Sequence, residues 1–337
     1  MLEAFYPTER GSLEDATING GFDLHPELVW IDLIAPSQEE QEWVLEAYQQ
    51  NLPTLKSLED ISSSARFYRD DDGILHISTY FLTKNKNYQV EDDSDENSNI
   101  LATVQTVAFI LHKDHLFTLR GEKLVAFRAF RARARRNDYD IDYKDPTWIL
   151  LGLLEAKLDE LADILEDIHK DLELYSTEVL NVRHREQILD LDDMITRLAQ
   201  KEDVLGKAQL CLIDLRRVLT FLARPRALGS HIYDADIREL SEDVRSLVEH
   251  DAFLFQKVRF LLDTTSGFIN TEQNDTIRRF SILPSMLAPP MLIASIYGMN
   301  TDVLPYAKGT TSFIIVSLIL VAFFVCQLLY FRWKKWI

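Results

Sequence analysis

The chain contains two long uncharged stretches near its C-terminal end, and the first is FSILPSMLAPPMLIASIYGMNT (280–301). The second is GTTSFIIVSLILVAFFVCQLLYF (309–331). A helix needs about 20 apolar residues to cross the ~30 Å hydrocarbon core of a bilayer, and both stretches are long enough. Buried core helices, the alternative, seldom stay uncharged for this length. We therefore predict a first span at 280–300, a loop at 301–310 and a second span at 311–331.

Charged residues around the two spans predict their orientation. Arg278 and Arg279 precede the first span, and the basic tail RWKKWI (332–337) follows the second. The loop between them holds one acid, Asp302, and one base, Lys308. Because Lys and Arg favour the cytoplasmic side of a membrane, we expect both termini in the cytoplasm and the loop outside. The first residues, MLEAFYPTERG, do not resemble a cleaved signal peptide.

The overall charge narrows the classes of partner. The 337 residues include 36 Lys and Arg against 54 Asp and Glu, which gives a formal net charge of −18. This balance argues against nucleic acid, because phosphate binding needs clustered basic residues, and it favours a cationic partner. The two cysteines, Cys211 and Cys326, are far apart in sequence and indicate neither a disulfide framework nor a zinc cluster.

Residues 1–145 mix strand and helix patterns and predict an α+β cytoplasmic domain. Four runs rich in β-branched and aromatic residues predict strands at 28–34, 74–82, 103–111 and 115–120. The segment 37–51 has the pattern of an amphipathic helix with Ser37 as its N-cap.

Three stretches of this domain leave alternatives open. The acidic stretch 91–96 is interpreted as a solvated loop, with a divalent-cation site as the alternative. The basic run 128–136 is interpreted as a helix face that pairs with the protein's own acids, with an RNA-binding patch as the alternative. His112 and His115 flank a predicted turn, where an ordinary surface turn and a metal site are both compatible with the sequence.

Residues 146–279 predict an acidic coiled-coil and stalk region made of long helices. One apolar seam follows the 4–3 spacing of a coiled coil: Leu154, Leu158, Leu161, Leu165, Ile168 and Leu172. A second helix is predicted at about 183–222. Because 226–283 contains no proline, the simplest interpretation is one helix that runs directly into the first span.

The sequence contains no recognised catalytic motif. HExxH, GxSxG, the P-loop and a GxGxxG after a strand are all missing, so we expect neither an enzyme nor an organic cofactor. The first span instead carries a stripe of small or uncharged residues: Ile277, Ser281, Pro284, Ala288, Met291 and Ser295, with Asn274 one turn before it. Such a stripe is typical of helix packing and is also compatible with a pore wall. A pore would need several copies of the chain, since two helices cannot enclose one.

The triplet Gly298-Met299-Asn300 ends the first span and decides between these interpretations. In the segment GFINTEQNDTIRRFSILPSMLAPPMLIASIYGMN (267–300), the chain resembles the CorA family of divalent-cation channels, and its bacterial magnesium members most closely. The resemblance extends to LEDISSSARFYRDDDGILHISTYF (58–81), to WIDL at 30–33 and to KKW at 334–336.

This resemblance implies a funnel-shaped homopentamer in the lipid of the cell inner membrane. Each subunit would have an α/β/α cytoplasmic domain, a long stalk helix that lines the pore and an outer second span. The triplet 298–300 matches the ring that binds the hydrated cation at the external mouth. Asn274 matches the inner amide ring, and Phe280 and Ala288 match the pore constriction. Met291 stands where the family commonly has a hydroxyl residue.

The resemblance also implies Mg²⁺ as the transported ion, with Co²⁺ and Ni²⁺ as further substrates. The loop TDVLPYAKG (301–309) departs from the family, because it lacks the usual Met-Pro-Glu and offers only Asp302 as a carboxylate. The zinc-transporting branch lacks that glutamate too, so a proton-coupled zinc transporter on the same fold is the alternative. A membrane-tethered scaffold without a pore is a second alternative.

Regulation by cytoplasmic Mg²⁺ between subunits is a further implication of the resemblance. Alignment without gaps from Asn274 places Glu239 and Asp243 near the family's regulatory position on the stalk. Carboxylates across an interface repel each other until a dication bridges them. Solvated carboxylates on a helix surface are the alternative interpretation of both residues.

Overall fold

The structure of the chain is a computed structural model. It describes residues 1–9, 11–16, 27–59, 66–85, 101–136, 141–181, 191–225, 227–299 and 310–334. Two compact units are present, Met1–Leu261 and Leu262–Ile337. The acidic stretch 91–96, Asn300 and Asp302 lie outside the described residues.

Seven strands of the first unit form one mixed sheet, in the order β2-β1-β3-β7-β6-β5-β4. The strands are β1 (Leu2–Pro7), β2 (Leu13–Ala16), β3 (Trp30–Ile34), β4 (Phe67–Arg69), β5 (Leu75–Asn85), β6 (Leu101–Leu111) and β7 (Leu116–Arg120). β3 and β7 are parallel, and the other neighbouring pairs are antiparallel. The helices are α1 (Gln38–Tyr48), α2 (Leu55–Glu59), α3 (Val125–Arg136), α4 (Pro146–Asn181), α5 (Leu191–Leu222), α6 (Asp234–Tyr297) and α7 (Thr310–Trp333).

The four strands predicted from the sequence are confirmed as β3, β5, β6 and β7. The predicted helix after β3 is also confirmed, as α1. Ser37 Oγ accepts a hydrogen bond from the Glu40 N–H (3.2 Å), and the Glu40 carboxylate accepts one from the Ser37 N–H (2.9 Å). This capping box satisfies two backbone donors at the first turn of the helix.

Helices cover both faces of the sheet and give the predicted α/β/α arrangement. On one face, Val44 of α1 and Leu58 of α2 pack with strand residues that include Ile31 and Phe117. The other face carries an aromatic cluster shared with α3: Trp30, Phe81, Phe109, Phe127 and Phe130. Because successive side chains of a strand point to opposite faces, neighbouring residues of β3 belong to different layers.

A buried ion pair joins β3 to β7 beneath the aromatic cluster. Asp32 and Arg120 are fully buried, with Arg120 Nη2 2.7 Å from Asp32 Oδ2 and Arg120 Nε 3.1 Å from Oδ1. Thr118 Oγ1 donates to Asp32 Oδ1 (2.7 Å) and accepts from Trp30 Nε1 (3.0 Å). The Arg120 guanidinium lies 4.3 Å from the Phe127 ring centroid. Both carboxylate oxygens therefore have donors, as a buried charge requires.

The basic run of α3 pairs with acids of the first unit, as predicted. The ion pairs are Arg131–Glu3, Arg133–Asp159 and Arg135–Asp15. Because these arginines already have carboxylate partners, the structure favours the predicted pairing over an RNA-binding patch.

The long helices predicted from the sequence are confirmed as α4, α5 and α6, although residues 183–190 of the second predicted helix lie outside the described residues and α6 begins only at Asp234. The six seam residues of α4 are buried. In α6, Val244, Leu254 and Val258 are also buried, and Asp251 occupies a position of the same 3–4 spacing. Asp251 is fully buried, and neither of its carboxylate oxygens has a hydrogen-bond partner within the described part of the chain. Burial raises the pKa of the Asp251 carboxyl to about 6.

Asp251→Leu is expected to raise the free energy of unfolding by about 3 kcal/mol at pH 7. The pKa of the Asp251 carboxyl rises from 3.8 to about 6 on folding, so at pH 7 the folded wild type carries the cost of ionising this buried group, and leucine removes that cost. The pKa of this carboxyl is higher in the folded state than in the unfolded state, so its contribution to the stability of the wild type is most favourable below pH 3.8. That stability is lost as the pH rises through about 6. The gain from leucine should therefore shrink as the pH falls toward 4.

The measurement is urea unfolding of the detergent-purified chain in chelator-treated buffer at several pH values. Glu249→Leu is the matched control, because it replaces a carboxylate of the same helix that is 73% exposed. Equal effects of the two substitutions at pH 7 would contradict the prediction.

Candidate functional site

The C-terminal part of α6 packs against α7 with one face and exposes the opposite face. Ile282 and Met286 are buried with Phe331 of α7. The predicted stripe is exposed at every position: Asn274, Ile277, Ser281, Pro284, Ala288, Met291 and Ser295. At 3.6 residues per turn, this stripe lies on the side of the helix away from Ile282 and Met286. It is therefore not the face that packs against α7.

The predicted pore residues span the whole length of this exposed face. Phe280, at its edge, is 76% exposed, and Met291 is 65% exposed. Asn274 precedes Gly298 by 24 residues, which is about 36 Å along a helix. Since the hydrocarbon core is only ~30 Å thick, the amide and the triplet can lie at opposite surfaces of a membrane.

Three prolines lie inside α6 without ending it: Pro284, Pro289 and Pro290. Proline has no N–H, so Pro289 leaves the Ser285 carbonyl without its usual helical donor. Gln327 of α7 supplies one, because its Nε2 donates to Ser285 O at 3.3 Å. An unpaired carbonyl in hydrocarbon costs several kcal/mol, so this hydrogen bond offsets the cost of Pro289 within the helix. Sequence patterns do not identify this role of Gln327, although it is the only amide of the second apolar stretch.

α6 ends at the start of the Gly-Met-Asn triplet. The Gly298 N–H donates to Ala294 O (2.9 Å), and the Met299 N–H donates to Ile296 O (3.3 Å). A Cβ on residue 298 would lie 3.3 Å from Ala294 O, which is a tight contact that glycine avoids. Met299 is 59% exposed. The predicted roles of Asn300 and Asp302 fall outside the described residues.

The predicted regulatory carboxylates, Glu239 and Asp243, are exposed on α6. The pKa of the Glu155 carboxyl on α4 is raised, chiefly by burial. Arg133 opposes this rise, whereas the carboxylates of Asp159 and Glu239 add to it. Carboxylates of α4 and α6 therefore lie close together around Glu155, and a nearby dication would offset their negative charge.

The predicted turn between β6 and β7 is confirmed. The His112 N–H donates to His115 O (2.8 Å), and His115 Nδ1 donates to Leu28 O (2.7 Å). Burial lowers the pKa of His115. The backbone contact occupies one ring nitrogen, and the described residues contain no group of three or more side chains arranged to hold a metal. The structure thus favours the surface-turn interpretation.

Two helices of the described chain are long and apolar enough to cross a membrane. One apolar window lies in α6, and the other lies in Phe313–Trp333. Only 11% of the first window and 0% of the second are buried, unlike core helices of a soluble protein.

Comparison with known proteins agrees with the resemblance seen in the sequence. Residues 26–335 match the family model described as CorA-like Mg²⁺ transporter protein. The chain belongs to the CorA family. Magnesium transport protein CorA of Pectobacterium atrosepticum is 38% identical over 309 residues, and that of Escherichia coli is 38% identical over 316 residues. Each alignment covers 92% of this chain and 92% of the relative.

The CorA fold is also found by structural comparison. The complete CorA magnesium transporter from Methanocaldococcus jannaschii superposes with a TM-score of 0.76 at 18% identity. The match covers 100% of this chain and 99% of the other. The mixed α/β unit, the long helix and the C-terminal apolar helix predicted from the sequence are therefore those of a CorA membrane transporter.

Proposed function

We propose that this CorA protein carries Mg²⁺ through a pore built by five copies of the chain. The exposed stripe of α6 carries the proposal, because it lies away from α7 and leads to the Gly-Met-Asn triplet. Small residues on a membrane helix favour close approach of other helices, and copies around an axis would supply the rest of the pore wall. Relatives named as magnesium transport proteins support Mg²⁺ as the ion. Co²⁺ and Ni²⁺ would be further substrates.

The triplet would select the ion without stripping its water. Mg²⁺ loses its first water shell reluctantly and prefers oxygen partners. Five copies of the Asn300 amide, with the backbone carbonyls of Gly298 and Met299, would hold those waters. Neutral oxygens bind a dication less tightly than a ring of carboxylates would, so the ion can leave again. Asp302 would raise the local cation concentration in the external loop.

The wall below the triplet would form the gate. Five copies of Phe280 would place bulky apolar rings around the axis, and Ala288 and Met291 would continue the apolar lining toward the mouth. Narrow apolar constrictions close a channel by excluding water. Asn274, about 36 Å from the triplet, would return the ion to a polar ring at the inner end.

Internal Mg²⁺ would hold the channel closed. Glu239 and Asp243 are exposed and free to face a neighbouring subunit, and Glu239 already adds to the negative charge near Glu155. A dication bridging two such surfaces would fix them together. The protein would lie in the inner membrane, with both termini in the cytoplasm where the regulating ion is.

The test is uptake of Mg²⁺ or Zn²⁺ into liposomes that hold the purified protein and an ion-sensitive dye. We expect Mg²⁺ entry that internal Mg²⁺ suppresses in the wild type but not in Glu239→Gln/Asp243→Asn. Zn²⁺ entry that grows with an inward proton gradient, with little Mg²⁺ entry, would replace the proposal by the zinc alternative, which the named relatives do not favour. No uptake of either ion, beside a conducting CorA control, would indicate a scaffold.

A further inference from the structure

Two histidines of the first unit face each other between α4 and α6. His169 Nδ1 and His250 Nε2 are 3.1 Å apart, and their ring planes meet at 48°. The His169 side chain is 34% exposed, so solvent reaches the pair. We propose that His169 and His250 together bind one transition-metal dication, such as Ni²⁺, Co²⁺ or Zn²⁺, at a site that Mg²⁺ does not occupy.

The separation of the two nitrogens fits a shared ion. Imidazole nitrogens bind such metals at ~2.0–2.1 Å. Two neighbouring ligands at that distance are ~3.0 Å apart in octahedral geometry and ~3.4 Å apart in tetrahedral geometry. The observed 3.1 Å lies between these values, so both rings can bind one ion after small movements. Water would fill the other coordination positions.

Glu173 prepares His169 for this role. Its Oε1 lies 3.4 Å from His169 Nε2, one turn further along α4. A carboxylate at that nitrogen favours the tautomer with the proton on Nε2, which leaves the Nδ1 lone pair directed at His250. Carboxylates that support metal-binding histidines in this way also raise their basicity. Lys257 Nζ, 4.0 Å from the same oxygen, competes for the carboxylate and keeps Glu173 in a supporting role.

The protonation of His250 also suits a metal. Without an ion, its Nε2–H donates to His169 Nδ1. With an ion, His250 binds as its Nδ1–H tautomer, so the proton moves from one ring nitrogen to the other through solvent and none is lost overall. Burial, and then the nearby His169, lower the pKa of His250. Neutral imidazole is the form that binds metals.

The ligand type sets the selectivity. Imidazole suits Zn²⁺, Ni²⁺ and related ions, whereas Mg²⁺ prefers carboxylates, carbonyls and water. The site is thus distinct from the oxygen-lined pathway proposed for transport, and binding alone tests it. α6 also carries the exposed stripe. An ion bound by both histidines would therefore crosslink α4 to the helix proposed to line the pore, and Mg²⁺ would not form this crosslink.

The experiment is Ni²⁺ binding to the detergent-purified full chain, with a tag free of histidine and excess Mg²⁺ present to occupy oxygen sites. Calorimetry should show one more Ni²⁺ per chain in the wild type than in His169→Ala or His250→Ala. Glu173→Gln should weaken this binding about 10-fold, the loss typical of a supporting carboxylate. His231→Ala is the matched control, because His231 is 83% exposed and also has a carboxylate partner nearby in sequence, Asp234.

Two further readouts separate metal binding from folding. His169→Gln and His250→Gln keep a polar side chain of similar size and should match the wild-type unfolding midpoint without metal. Ni²⁺ should raise the midpoint of the wild type and of His231→Ala by equal amounts, and should leave those of the glutamine variants unchanged. Equal Ni²⁺ stoichiometry in the wild type and the His169 and His250 variants, or displacement of this ion by Mg²⁺, would overturn the proposal.

Discussion

Liposomes carrying the Asn300→Ala protein are expected to admit no more Mg²⁺ than empty liposomes. The proposed mouth holds a fully hydrated ion through amide and carbonyl oxygens, and alanine removes all five side-chain amides of the ring at once. The backbone carbonyls of Gly298 and Met299 stay, but without the amides they hold the waters of the ion too weakly to give it a favourable position at the entrance. The loss should therefore be one of flux, with the protein still folded.

Two other substitutions refine this prediction. Asn300→Asp places five carboxylates at the mouth and should bind Mg²⁺ more tightly while passing it more slowly. Asn51→Ala, at an exposed asparagine of the first unit, controls for the loss of an amide elsewhere and should conduct like the wild type. Wild-type flux through Asn300→Ala would sink the proposed role of the triplet, whatever the other variants do.

Local features of this chain are well predicted from its sequence. Ser37 and Glu40 are three residues apart, which is the spacing that a capping box requires at the start of a helix. The part of α6 before Pro284 follows from an uninterrupted stretch without proline, whereas its continuation through three prolines does not. The stripe on its surface follows from helical periodicity. In each case the residues that interact lie within a few turns of each other, so the sequence spacing alone indicates their geometry.

Contacts between distant residues are not predicted in this way. Gln327 is 42 residues from Ser285, and His169 is 81 residues from His250. The His169–His250 contact depends on how α4 packs against α6, which the apolar seams predict only in general terms. Periodicity likewise identifies the exposed face of α6 but not what covers it. The triplet itself is assigned by family resemblance, and Asn300 lies outside the described residues.

The short strands at the edges of the sheet escape prediction for a different reason. β2 has four residues and β4 has three, so neither shows the alternation that identifies a half-buried strand. Their strand conformation depends on hydrogen bonds to β1 and β5. Tertiary pairing, and not local preference, therefore determines these elements.

Asp32→Ala is expected to lower the free energy of unfolding by about 3–5 kcal/mol, the usual cost of leaving a buried charge without its partner. Arg120 is fully buried, so water cannot replace the lost carboxylate. The contacts that stay, to the Glu122 carbonyl (2.9 Å) and to the Phe127 ring, do not neutralise the guanidinium. The measurement is urea unfolding of the detergent-purified chain, followed by circular dichroism.

Two matched variants separate the charge from its hydrogen bonds. Thr118→Val removes one donor to Asp32 and the acceptor of the buried Trp30 N–H but leaves the ion pair, so it should cost less than Asp32→Ala, about 1–3 kcal/mol. Asp32→Leu/Arg120→Met removes both charges and should recover most of the stability, because the penalty comes from one unpaired charge and not from the loss of a strong attraction. If the double variant were as unstable as Asp32→Ala, the pair itself would stabilise the contact between β3 and β7. Asp32 of the WIDL segment would then stabilise the fold through its attraction to Arg120, and would not merely neutralise a charge that is already buried.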